Sequence, residues 1–241
     1  MRDLDAALGV LADYGRIVPP AILGLPPRGI LNVHPSLLPR HRGATPIPAT
    51  IHHGDAEAGV SIIRMDDGID TGPLVAQERW PLAGTETTPE LEARAAEAGA
   101  ALLARTLRPW LVGELPAVSQ GESGVTLTRP LRRADGRLDP SRPVAELERQ
   151  VRALQPWPGS WLETVVGRLI VWRAEAIAGF LSDEAVPGWI GRFGLNASDG
   201  HLALREVQLA GGRRMSWDEL VRGRPTIVGT EVVREADPEE A

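Results

Sequence analysis

The chain has 241 residues, 26 basic against 32 acidic, a net charge of −6 and no cysteine. With 43% hydrophobic and 24% charged residues it can bury a core, which excludes wholesale disorder. The missing cysteine excludes disulfides, thiolate nucleophiles and cysteine-ligated metals, and since every basic residue is arginine, Schiff-base chemistry and the phosphate-gripping lysine of a P-loop go too.

No run approaches the ~18 apolar residues of a membrane span. Asp3 and Asp5 near the start do not fit a signal peptide, so a cytoplasmic protein is expected with no membrane partner. The 26 Gly and 21 Pro predict many turns and short elements. In chain order, Ala6–Leu11, Gly29–Val33, Val60–Met65 and Leu74–Trp80 read as buried strands. Pro46–His53 reads as a short helix ended by Gly54, its His52–His53 pair placed to favour the helix dipole. Thr87–Leu111 is the clearest helix, with Thr88 as N-cap and Pro89 at the first helical position. Strands alternating with helices predict an α/β fold with a parallel sheet.

Gly113–Val125 is polar and turn-rich, and a linker is predicted over 113–127 between domains at 1–112 and 128–241. In the second domain Val144–Leu154 is amphipathic. Strands are expected at Trp161–Val165, Arg168–Glu175, Trp189–Leu195 and His201–Gln208, punctuated by glycines, which suggests a small OB-like β-barrel ending in an acidic tail. Trp157 and Trp161 read as barrel-closing core rather than an RNA stacking platform. The first domain is acidic, whereas 128–233 carries an excess of arginine that can meet RNA phosphates.

The densest polar cluster is Asn32-Val33-His34-Pro35-Ser36-Leu37-Leu38-Pro39-Arg40-His41-Arg42-Gly43. It leaves a buried strand for a loop, where open α/β sheets place ligands. Strand alternation puts Asn32 and His34 on one side. Downstream, Asp66-Asp67-Gly68-Ile69-Asp70-Thr71-Gly72 offers three carboxylates in a turn. An amide, an imidazole and a carboxylate suit acyl transfer to an amine: the amide polarises the carbonyl, the imidazole serves the oxyanion, and the carboxylate orients the imidazole and takes a proton. Taken singly, His34 also reads as a satisfied strand-end histidine, and Asp66 and Asp67 as solvated turn residues. No histidine spacing supports a metal site.

NVHPSLLPRHRG followed by GVSIIRMDDGIDTGPLVAQ resembles the folate-dependent formyltransferase family. LERQVRALQPWPGSW, LIVWRAEAI and QLAGGRRMSWDELVRGRP narrow the resemblance to members that act on initiator tRNA. By position it implies Asn32, His34 and Asp70 as catalytic residues and Ser36, Leu37, Leu38 and Pro39 as the folate-contacting stretch. It also implies 10-formyltetrahydrofolate as formyl donor and the α-amino group of initiator methionyl-tRNA as acceptor, with no obligate protein partner. Family members begin with further strands and helices, so the resemblance implies an incomplete Rossmann-like sheet with an open, self-associating edge at the first strand. Arg40, Arg42, Arg129, Arg132, Arg133 and Arg137 are candidate RNA contacts, or an ordinary solvated face. Two other functions stay open: formylation of an amino sugar on a nucleotide, and an inactive RNA-binding remnant.

Overall fold

The structure, a computed structural model, describes residues 5–180 and 186–233. The acidic tail lies outside the described residues. The chain divides into two compact units: Met1–Thr50 with Gly54–Pro130, and Ile51–His53 with Leu131–Ala241.

The first unit contains, in order, β1 (Gly9–Ala12), α1 (Pro20–Leu23), β2 (Ile30–His34), β3 (Arg42–Gly43), α2 (Pro46–His53), β4 (Glu57–Arg64), β5 (Leu74–Pro81), α3 (Thr88–Val112) and β6 (Leu127–Thr128). The α/β class is as expected, but the sheet, ordered β1-β2-β4-β5, is mixed. Parallel pairing is confined to β1 and β2, while β4 runs antiparallel to β2 and β5 to β4. For β4 and β5 the reason is connection length: residues 65–73 hold no crossover helix, and a link that short suits an antiparallel pair. β3 and β6 form a separate two-residue parallel pair.

β4 is buried from Ala58 to Ile63 on both faces, which suits its apolar run, interrupted by Ser61. α3 covers the sheet, and Leu102 and Trp110 pack with Leu31 and Ile62. Its N-cap is Thr87, one residue earlier than the sequence suggests, so Pro89 falls second in the helix. The Glu90 carboxylate accepts from the Thr87 N–H at 2.9 Å and hydroxyl at 2.8 Å, which fixes the start. Gly113 ends the helix in a left-handed conformation, its N–H directed at Pro109 and Trp110 carbonyls. Mid-helix, a Cβ at Gly99 would stand 2.9 Å from Val33 Cγ1. A glycine costs a free helix about 1 kcal/mol relative to alanine, and here it lets the helix lie directly on β2 beside His34.

The second unit comprises α4 (Val144–Ala153), β7 (Ser160–Thr164), β8 (Gly167–Ala178), β9 (Trp189–Gly191), β10 (Gly194–Asn196), β11 (Gly200–Leu209), β12 (Arg214–Ser216), α5 (Trp217–Gly223) and β13 (Thr230–Glu231). Its strands are ordered β13-β9-β10-β11-β8-β7, with β12 also on β11, and every pairing is antiparallel. Beyond β13 the Val233 N–H reaches the Glu163 carbonyl of β7 at 2.9 Å, curling the sheet towards closure. The run read as one strand from Trp189 to Leu195 is a hairpin, β9 and β10 folding back on each other. Leu162, Leu169, Ile190, Leu195, Leu202 and Leu204 fill the interior, closed by Val144, Leu147 and Val151 of α4.

The two tryptophans expected in this core are not in it. β7 buries Ser160, Leu162 and Thr164, so strand alternation turns Trp161 outward. Its Nε1 donates to the Arg133 carbonyl at 3.2 Å, and the Arg168 guanidinium stacks 4.1 Å from the ring centroid. Trp157 is 53% exposed.

Replacing Gly99 by leucine should force α3 off Val33. Overpacking of this kind costs about 1–3 kcal/mol, so the urea midpoint of the first unit should fall. An unchanged midpoint would mean that the close approach does not constrain the fold.

Candidate active site

β2 delivers Asn32 and His34 at its C-terminal end, and the β4–β5 turn delivers Asp70 to the same point. Asn32 Nδ2 lies 3.4 Å from Asp70 Oδ1, and His34 Nδ1 lies 3.6 Å from Asp70 Oδ2. The Gly43 N–H donates to Asp70 Oδ2 at 2.8 Å. Asp70 itself is left-handed, with φ of 52°, a conformation that aspartate tolerates better than most residues.

His34 is 4% exposed. Its Nε2 lies 3.0 Å from the His41 carbonyl oxygen, which can only accept, so Nε2 carries the proton. Nδ1 therefore faces the carboxylate. Burial pushes the imidazole below its usual range, against the opposing pull of Asp70 and the His41 carbonyl. Burial thus favours the neutral ring, with Nδ1 turned to Asp70, whose carboxylate favours the imidazolium.

His41 is also buried and left-handed, with φ of 59°. Its Nε2 donates to Asp55 Oδ2 at 2.7 Å. The Thr126 hydroxyl oxygen accepts the His41 N–H at 2.8 Å and lies 3.2 Å from Nδ1. Arg40 grips the same Asp55 through Nε at 2.7 Å and Nη2 at 2.5 Å. Burial would raise the Asp55 carboxyl, but the hydrogen bonds from Arg40 and His41 hold it below the usual range.

In the loop between β2 and β3, Ser36 and Leu38 are turned inward and Leu37 and Pro39 are half-buried. The Ser61 hydroxyl donates to the Ser36 carbonyl at 2.7 Å and accepts the Leu38 N–H at 3.1 Å. Gln77 Nε2 donates to the Leu38 carbonyl at 3.1 Å and to Ser61 Oγ at 2.9 Å. These bonds fix the loop and leave Leu37 to line a cavity of about 240 Å³ with Arg40, His41, Thr50 and Asp55.

Of the arginines singled out, Arg40 is paired as above, and Arg42 bonds to Gln120 Oε1 through Nε at 3.1 Å and Nη2 at 2.7 Å. Arg129 donates to the Pro130 carbonyl at 2.9 Å. Arg137 donates to the Val233 carbonyl at 2.9 Å and lies over Trp161. Arg132 and Arg133 are exposed. Asp66 closes its own turn, accepting the Thr71 hydroxyl at 2.7 Å and the Gly68 N–H at 3.1 Å. Among the described residues no group of three or more His, Asp or Glu is placed to hold a metal ion, and no helix is long and apolar enough to cross a membrane.

Sequence reasoning misses Ser61, Gln77, Asp55, Thr126 and Gln120. Ser61 and Gln77 do leave a trace, as lone polar residues inside the apolar runs GVSII and LVAQ. Gln120 leaves none, because the stretch predicted to be a linker shows no period. That stretch is bonded to the first unit: Val118 pairs with Leu74, and the Arg42 N–H donates to the Thr126 carbonyl at 2.9 Å.

An amide, a buried imidazole and a carboxylate meet where β2 ends and the β4–β5 turn passes, a set of groups that acyl transfer to an amine can use. Residues 1–107 match the formyl transferase family, and residues 130–225 match the formyl transferase C-terminal domain. A methionyl-tRNA formyltransferase from Myxococcus xanthus (strain DK1622) is 40% identical over 96% of this chain and 74% of its own length. One from Bordetella petrii (strain ATCC BAA-461 / DSM 12804 / CCUG 43448) is 42% identical over 92% of this chain and 71% of its own. Among solved structures, the Helicobacter canadensis N-formyltransferase in complex with folinic acid and dTDP-3-aminofucose superposes with a TM-score of 0.63 at 17% identity, over 79% of this chain and 71% of that one. The last shows a shared fold. The chain belongs to the formyl transferase family, enzymes that take their one-carbon group from a formyl-tetrahydrofolate.

His34 should titrate below the ordinary imidazole range. Asp70→Asn should lower its midpoint further, because it removes the main influence opposing burial. Imidazole NMR across pH reads both shifts. A midpoint that rises in the variant would reverse the electrostatic assignment.

Proposed function

We propose that the protein transfers the formyl group of 10-formyltetrahydrofolate to the α-amino group of methionine on initiator tRNA, in the cytoplasm, during translation initiation. The observation that carries this is the convergence of Asn32, His34 and Asp70 in a chain 40% identical, over nearly its whole length, to a methionyl-tRNA formyltransferase. Residues 1–112 would do the chemistry, 113–127 would connect, and 128–241 would meet the tRNA. Leu37 and Pro39, held out by the bonds to Ser36 and Leu38, would contact the folate.

In this reading Asn32 Nδ2 donates to the formyl oxygen as the amine attacks the formyl carbon. The amine proton passes to His34 Nδ1, beside Asp70. The resulting imidazolium N–H joins Asn32 in stabilising the oxyanion. The carbon–nitrogen bond to the folate then breaks, and the departing nitrogen takes the proton back from His34. A neutral resting His34 is needed for the first transfer, which is what its burial supplies.

Asp70→Asn and His34→Ala should each lower kcat by roughly 10²–10⁴-fold while the chain stays folded. Near-normal rates would remove the residue concerned from the mechanism. Methionyl-tRNA and a nucleotide-linked amino sugar, offered as acceptors in parallel, separate this reading from the activity that the Helicobacter canadensis complex represents. Preference for the sugar would overturn it.

RNA contact by the second unit has its own readout. Arg132→Ala and Arg133→Ala should each reduce the log–log salt dependence of tRNA binding by about one unit, the amount lost with one phosphate contact. An unchanged slope would make that cluster an ordinary solvated face.

A further inference from the structure

Gln120 lies between α3 and β6, and its side-chain amide is fully used. Nε2 donates to the Asp70 carbonyl and to the Gly72 carbonyl, both at 2.7 Å. Oε1 accepts from Arg42 Nε and Nη2. The opposite orientation of the amide would set its oxygen against two carbonyls and its NH₂ against a guanidinium, so the partners fix its direction.

These bonds close a ring. Gln120 holds the main chain on both sides of Thr71, immediately behind the Asp70 carboxylate. Arg42, at the other end of the amide, precedes Gly43, whose N–H holds Asp70 Oδ2. The carboxylate is thus clamped from its backbone and from its oxygen, and one side chain joins the two clamps. The contact being set is a loose one, the 3.6 Å approach of Oδ2 to His34 Nδ1. A displacement of about 1 Å at such a contact can cost a reaction about 10²-fold.

We propose that Gln120 is a positioning residue for formyl transfer, setting the Asp70 carboxylate against His34 and making the connector part of the catalytic apparatus. The inference rests on the role given to Asp70 under Proposed function. Gln120 touches neither His34 nor Asn32 in this scheme and acts only through the Asp70 turn.

Two near-isosteric variants of the full chain test it. Gln120→Met removes all four hydrogen bonds without adding charge. Gln120→Glu keeps an acceptor for Arg42 and loses both donors to the turn. Both should lower kcat by at least about tenfold, with KM for methionyl-tRNA changed by less than about twofold. In Gln120→Met the His34 titration midpoint should also move down, towards its value in Asp70→Asn, a shift that a merely structural role would not produce. If Gln120→Met does not fold, Gln120→Glu carries the kinetic test. Wild-type kcat in Gln120→Glu would overturn the proposal, and so would a lowered kcat with the His34 midpoint unmoved. If Asp70→Asn itself is fully active, the reading of the site fails instead, and the titration still decides whether Gln120 places the carboxylate.

Discussion

The Gly43 N–H that donates to Asp70 Oδ2 comes from a strand only two residues long, and such a strand has little hold of its own. Its place is set by the parallel pairing of Arg42–Gly43 with Leu127–Thr128 and by the Thr128 hydroxyl, which donates to the Arg42 carbonyl at 3.0 Å and accepts the Thr45 N–H at 3.0 Å. The approach is close enough that a Cβ at Gly43 would lie 2.2 Å from the Thr128 carbonyl oxygen, and its φ of 103° excludes other residues for a second reason. A backbone donor fixed this firmly costs no side-chain entropy when it holds an anion. The carboxylate is held by this donor, and at His34 it opposes the effect of burial.

Burial and charge work against each other at His34. Water exclusion disfavours the imidazolium, and Asp70 and the His41 carbonyl partly restore it. Burial alone would lower the imidazole further, and a closer carboxylate would raise it. At 3.6 Å, with the oxygen already engaged by Gly43, Asp70 supplies only part of its attraction. The Asn32 amide, 3.4 Å away at the limit of a hydrogen bond, is similarly left uncommitted.

What the sequence discloses follows from the range of the interactions involved. α2 is bounded at Pro46 and His53 as read, and α3 within a residue at each end, because caps, breakers and helical periodicity are local. The α/β and barrel-like characters of the two halves are legible for the same reason. The antiparallel turn of β4 into β5 is not, since an apolar run does not state which neighbour it pairs with. Trp161 reads wrongly from the sequence because the phase of β7, set by Leu162 meeting the core, decides which face a large aromatic takes. At the site, Asn32, His34 and Asp70 are visible as a pattern of chemical types. The groups that hold the site together, Ser61, Gln77, Thr126 and Gln120, find partners 16 to 85 residues away along the chain, where no local pattern exists.

Three backbone conformations that most residues avoid occur within this small volume: His41 and Asp70 are left-handed, and Gly43 has a positive φ. Each non-glycine residue of this kind costs about 1–3 kcal/mol unless its surroundings over-determine it. At His41 the compensation is the Asp55 carboxylate on one ring nitrogen and Thr126 at the other. At Asp70 it is the bonds from Gly43 and Gln120, made at the carboxylate and the carbonyl of the same residue. The two compensations share a source. Thr126, Thr128 and Gln120 all belong to the stretch that follows α3, so one polar segment contributes at both residues, beside Asp55 at His41 and Gly43 at Asp70. Composition alone marks that segment as a linker, yet its hydrogen bonds tie it to the loops that carry His41 and Asp70. The turn-rich character that hides it in the sequence also suits it to this role. A segment with no helix or sheet pattern of its own over most of its length has backbone and side-chain donors free to satisfy another loop.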